Sequence, residues 1–143
     1  MPKVHRVEVA PAPGRSDPVG DAIRKEAKAV GVSLSHAAAT HVYLIQPHAE
    51  EPLSAAQIER VRTSLLADPV TEASALGAAP VRKDCSVVEV HPLPGVMDPV
   101  AESVQAAIKD LLGLKHEPQV TTGWRYDLGG VSAEQSKALA NRL

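Results

Sequence analysis

The sequence predicts an α+β fold in which two tandem β-α-β-α-β repeats close against each other about a pseudo-two-fold axis. Three observations point to it. Residues 7–19, ValGluValAlaProAlaProGlyArgSerAspProVal, return at 88–100 as ValGluValHisProLeuProGlyValMetAspProVal, nine of thirteen positions identical at a constant offset of 81. Each copy passes from period-two apolar alternation to a one-sided helical stripe and back to alternation. Each then reaches the same Ser-x-x-Gln, at Ser54 and Gln57 and at Ser132 and Gln135. The register slips by small steps between copies, so that Gly31 answers Gly113 and Tyr43 answers Tyr126, and loops tolerate such insertions. The chain therefore divides into a first repeat, 1–81, and a second, 82–143.

Each repeat opens with a strand, at 4–10 and 85–91, where Val7 and Val9, or Val88 and Val90, face one side. Glu8 and Glu89 face the other side, which reads as solvated; a shared ion pair is the alternative their repetition raises. A Pro-x-Pro-Gly turn follows, with Pro13 and Gly14 in the first copy and Pro94 and Gly95 in the second. Asp17-Pro18 and Asp98-Pro99 then start a helix. The aspartate accepts from orphan N–H groups of the first turn, and a proline at the first helical position has no N–H to leave unpaired. Val19, Ile23, Ala27 and Val30 form the apolar stripe of the first helix, and Val100, Val104, Ala107, Ile108 and Leu111 that of its counterpart.

The second strands fall at 37–46 and 120–128. In the latter, Val120, Thr122, Trp124, Tyr126 and Leu128 alternate with Thr121, Gly123, Arg125 and Asp127. The Ser-x-x-Gln spacing predicts a capping box at the next helix start. Asp68-Pro69 breaks that helix in the first repeat and leaves 70–75 for a third strand. The second repeat stops at Leu143, the counterpart of Leu65, so the sequence reads as a piece of a longer polypeptide cut inside its second repeat.

Composition narrows the function. The chain has 143 residues, a net charge of -2, no Phe, one Trp and two Tyr, so its apolar content is mainly Ala and Val. A core of this kind is thin, with small side chains between closely packed layers. No run of like charge provides a phosphate-binding footprint, and three aromatics make a poor base-stacking platform, so composition argues against a nucleic-acid partner. No stretch approaches a membrane span or a signal peptide, and a cytoplasmic protein is expected. Cys85, the sole cysteine, opens an apolar run and reads as a small buried hydrophobe.

A catalytic site does not emerge. His5, His36, His41, His48, His91 and His116 show no zinc-ligating spacing, and His36 and His41 fall on opposite strand faces. His48, beside Glu50 and Glu51, reads as a solvated turn. Asp17 and Asp98 serve as caps, and Gly129-Gly130 reads as a turn. Trp124 has two readings, burial against a helix or an anchor facing a partner.

These motifs, in this order, resemble the PurS family: Pro-x-Pro-Gly-x-x-Asp-Pro after a Val-rich strand, an amphipathic helix, a Gly-x-x-Tyr-x-Leu strand (Gly123, Tyr126, Leu128), and LeuLeuAlaAspProValThrGlu at 65–72. The resemblance covers 4–76 and 85–143. It departs at Thr40, which stands where the second repeat has Gly123, and at His41 and Trp124, where the family commonly has a basic residue.

The family is the small subunit of phosphoribosylformylglycinamidine synthase in purine biosynthesis, and also occurs as a tandem module at the N-terminus of the single-chain PurL form. The resemblance implies a ferredoxin-like related fold and a non-catalytic scaffold that organises synthetase and glutaminase parts and ammonia transfer. It implies no cofactor in this chain, with ATP and Mg used by the whole ATP-dependent, glutamine-using ligase. Pro13, Gly14, Asp17, Pro18, Pro94, Gly95, Asp98, Pro99, Gly123, Trp124 and Tyr126 are then the structural and interface candidates. The partners are the synthetase and glutaminase domains or subunits, with the two repeats pairing within the chain. The alternative is a tandem ferredoxin-like module that binds a small metabolite and regulates.

Overall fold

Alternation and capping place the elements close to where the sequence puts them. The computed structural model describes residues 3–93 and 95–143. The chain runs β1 (His5–Pro11), α1 (Pro18–Ala29), β2 (His36–Gln46), α2 (Ala55–Val61), β3 (Glu72–Leu76), β4 (Cys85–Val90), α3 (Pro99–Leu112), β5 (Gln119–Gly129) and α4 (Ala133–Ala140). A π-helical turn at Arg62–Leu66 extends α2. There Arg62 Nη1 donates to the Ser74 carbonyl and hydroxyl, at 3.2 and 2.8 Å, and ties the helix to β3.

The strands form one antiparallel sheet in the order β3-β1-β2-β5-β4. β2 and β5 pair along their full length, from His36 opposite Gly129 to Gln46 opposite Gln119. The thin-layer expectation changes here, because the two halves join edge to edge through backbone hydrogen bonds rather than face to face. In β1–β2, Val7 lies opposite Tyr43; in β4–β5, Val88 lies opposite Tyr126.

One sheet face carries both apolar cores. Val7, Val9, Tyr43, Ile45 and Val120 pack with Ile58 and Val61 of α2 and Ile108 of α3. Ala39, Tyr126 and Leu128 pack with Ile23 and Ala27 of α1 and Leu139 of α4. Each core thus combines a helix from the first half with one from the second, so neither half buries its apolar side chains alone. A fully buried Ile or Leu contributes about 1.5–3 kcal/mol, and Ile45, Ile58, Ile108, Leu128 and Leu139 are all in that state. Val30 and Val100 depart from the expected stripes: both are exposed, standing at the helix termini.

The helix caps do more than their spacing implies. Asp17 Oδ1 accepts from the Gly20 N–H at 2.9 Å, while Oδ2 accepts from the Ala39 N–H of β2 at 3.0 Å. Asp98 Oδ1 accepts from the Ala101 N–H at 3.0 Å, and Oδ2 from the Thr122 hydroxyl of β5 at 2.7 Å. Each carboxylate therefore caps a helix and pins it to a central strand. Both predicted capping boxes are present, Ser54 with Gln57 and Ser132 with Gln135.

Replacing Asp17 or Asp98 by Ala is expected to lower stability by about 1–2 kcal/mol each, read as a lower urea midpoint. Burial pushes the Asp98 carboxyl upward, but hydrogen bonds from the Thr122 hydroxyl and the Ala101 amide outweigh it and hold its pKa below the usual value. Its contribution is then complete above the ordinary aspartate pKa of about 3.9 and is lost as pH falls through the lower folded value. The stability gap between the parent and Asp98→Asn should therefore close in acid.

Candidate functional site

The antiparallel register that joins β2 to β5 places His41 opposite Trp124. The offset that matches Tyr43 with Tyr126 also matches these two residues. Their rings stack with centroids 4.5 Å apart and planes 16° from parallel, and the Tyr43 ring tilts against His41 at 4.5 Å. Trp124 is half-buried: it packs against the core that carries Ile23 and Ala27 of α1 and Leu139 of α4, in line with the burial reading, and it also stacks on a side chain from the other half. Burial lowers the His41 pKa, with partial opposition from Asp98 and Glu72. Burial thus favours the neutral form of the imidazole that stacks against the indole.

The two Pro-Gly turns lie on either side of this pair. Asp17 reaches β2 two residues from His41, and Asp98 reaches β5 two residues from Trp124. Gly14 and Gly95 take φ of 81° and 86°, the left-handed region in which a side chain is strained, so the turn chemistry requires glycine at both. Pro13, Gly14, Pro18, Gly95 and Pro99 are exposed. Pro94 lies outside the described residues. Gly123 and Tyr126 are buried: Tyr126 belongs to the second core, and a Cβ at Gly123 would collide with the His91 ring.

The turn in the second half differs from its counterpart in one respect. Leu93, Val96 and Met97 are 75%, 56% and 75% exposed, where the first half has Ala12, Arg15 and Ser16. They border an open groove of about 760 Å³ that runs past His91, Asp98, Gln105 and Thr122. Gln105 Oε1 accepts from the Val120 N–H at 2.8 Å, so the groove wall is a strand edge covered by a side chain.

Opposite the helices, the sheet carries a charged network, and the solvated reading of Glu8 is corrected. Glu8 is 5% exposed and Arg125 3%. Arg125 donates all five of its N–H groups. Nε and Nη2 go to Asp127 at 2.9 and 3.1 Å, Nη1 to Glu8 at 3.3 Å and to the Ala79 carbonyl at 2.7 Å, and Nη2 also to the Pro80 carbonyl at 3.4 Å. Arg6 bridges Glu8 and Glu89, at 2.7 and 3.0 Å, and Glu89 meets His91 at 3.0 Å. The repeated glutamates thus share an ion pair, which β1 and β4 can both reach because they flank the central strands.

Cys85 is half-buried, less enclosed than its apolar run implies, because β4 is an edge strand. His36 contacts Arg82 at 3.3 Å. Among the described residues no histidine, cysteine or carboxylate completes a nucleophile-and-base arrangement. One cluster escaped the sequence altogether: His48 stacks on His116 with ring centroids 3.9 Å apart, and His116 Nε2 lies 3.9 Å from Glu50. Linear spacing holds no trace of it, because the β2–α2 loop and the α3–β5 loop meet only in the fold.

Arg125→Met should cost about 3–5 kcal/mol, because it leaves Asp127 buried without its cation and Glu8 with Arg6 as its remaining partner; adding Asp127→Asn should recover part of the loss in urea unfolding. The His41 pKa gives a second expectation. Since its folded value is lowered, stability is full above about pH 6.5 and declines as pH falls through that value toward the folded one. His41→Gln should flatten this part of the pH–stability curve. Comparison of the chain with family models, curated proteins and solved structures found no match.

Proposed function

We propose that the chain is a PurS-like tandem module of a phosphoribosylformylglycinamidine synthase, a non-catalytic scaffold that holds synthetase and glutaminase parts together and shapes ammonia transfer between them. One observation carries the reading. The central strands pair in the register that sets His41 against Trp124, positions equivalent in the repeat, while Val7:Tyr43 and Val88:Tyr126 repeat the same pairing on either side. Two copies of one unit related by a pseudo-two-fold axis would pair in this way. Helix pairs drawn from both halves fit a dimer-like module built in one chain.

Chemistry in this reading belongs to the rest of the enzyme, which supplies the ATP and Mg site. This module contributes surface, and the exposed Leu93, Val96 and Met97 beside Gly95 are the docking contact for the synthetase part. Large apolar side chains exposed together beside one turn fit a surface that another chain or domain covers. The enzyme works in the cytoplasm in this reading, which agrees with the finding that no described helix is long and apolar enough to cross a membrane.

The groove along Asp98 and Gln105 favours a second reading, a ferredoxin-like module that binds a small metabolite there. Co-expression with synthetase and glutaminase polypeptides separates the two. The scaffold reading expects co-purification and glutamine-dependent amidine formation from formylglycinamide ribonucleotide, with both reduced at least tenfold by Leu93→Asp combined with Met97→Asp at an unchanged urea midpoint. Saturable binding of an amino acid or nucleotide without any partner binding would support the metabolite reading instead.

A further inference from the structure

We infer that His48, Glu50 and His116 form a binding site for one divalent transition-metal ion of the zinc type, clipping the β2–α2 loop to the α3–β5 loop. Their ligand atoms all lie within 4.8 Å of one another. A tetrahedral ion bound at about 2.0–2.2 Å needs its donors roughly 3.3 Å apart, so the ligands must close by an ångström or so, and the stacked His48 and His116 rings must turn out of parallel because each nitrogen lone pair lies in its ring plane. They are free to do so: Glu50 and His48 are exposed, and the His116 side chain is 40% accessible. Two imidazoles and a single carboxylate select zinc, nickel, cobalt or copper over magnesium and calcium, which prefer an all-oxygen shell.

The frame around the ligands is already fixed. Glu51 accepts from the Lys115 N–H at 3.0 Å and from the His116 N–H at 2.8 Å, so one carboxylate holds the two loops together next to the ligands. Glu51 is a positioning residue here, and Glu50, its neighbour, is the ligand. The Glu50 N–H donates to His48 Nδ1 at 3.1 Å, which orients that ring. Three protein ligands leave at least one coordination position for water or for a donor from another molecule.

Calorimetric titration of the chelator-stripped chain with Zn²⁺ tests the site, with Co²⁺ as the spectroscopic probe. The expected result is one ion per chain and a visible Co²⁺ d–d band. His48→Ala and His116→Ala should each weaken binding at least tenfold, Glu50→Gln should weaken it less, and His91→Ala should leave it unchanged. Saturating Zn²⁺ should also raise the urea midpoint of the parent and not of His48→Ala, since an ion that binds only the folded chain stabilises it. Trp124 emission verifies that each variant is folded. Absence of saturable binding, or binding that survives both histidine substitutions, overturns the assignment.

Discussion

Eleven residue pairs join β2 to β5, and without them each half would be left with an open strand edge and an apolar face that its own helices do not cover. The second half alone would hold a two-stranded ribbon, which is marginal in water. Pairing solves both problems at once. It satisfies the inner edges of both halves, and it brings α2 beside α3 and α1 beside α4 over the two cores. Small aliphatic residues suffice because the sheet is continuous, so that helices need only cover one side of it.

The other face depends on the same pairing. Arg125 lies on β5 and Glu8 on β1, with β2 between them, so their ion pair exists only once the central strands have met. Burying three such charges is costly, and the cost is offset because every N–H of Arg125 finds an acceptor, two of them carbonyls of the connector between β3 and β4. The network fixes where that connector crosses the sheet.

Much of this was legible in the sequence, and the limits follow a physical pattern. Local signals read well: the Asp-Pro helix starts, both Ser-x-x-Gln boxes and the alternation in β5 depend on neighbours a few residues away. What failed depended on distant partners. Glu8 looked solvated because Arg125 is far along the chain, and the second role of Asp17 and Asp98, pinning helix to strand, needs Ala39 and Thr122 in place. Packing of Trp124 against a helix-covered core was one of its two readings, but its stacking on His41 was not legible, since that partner comes from the other half. The His48, Glu50 and His116 cluster was invisible for the same reason. The repeat was the one long-range signal available, and the matched pairing of Val7 with Tyr43 and of Val88 with Tyr126 follows its offsets.

Contact between the His41 and Trp124 rings is the direct consequence of the central pairing, and it can be observed in solution. Nuclear Overhauser effects between the His41 imidazole and Trp124 indole protons, recorded together with amide exchange along β2 and β5, measure it. The account predicts cross-strand contacts between the two rings, with the slowest-exchanging amides of the chain in these two strands. Ring contacts confined within each half, with β2 and β5 amides exchanging as fast as those of the loops, would contradict it.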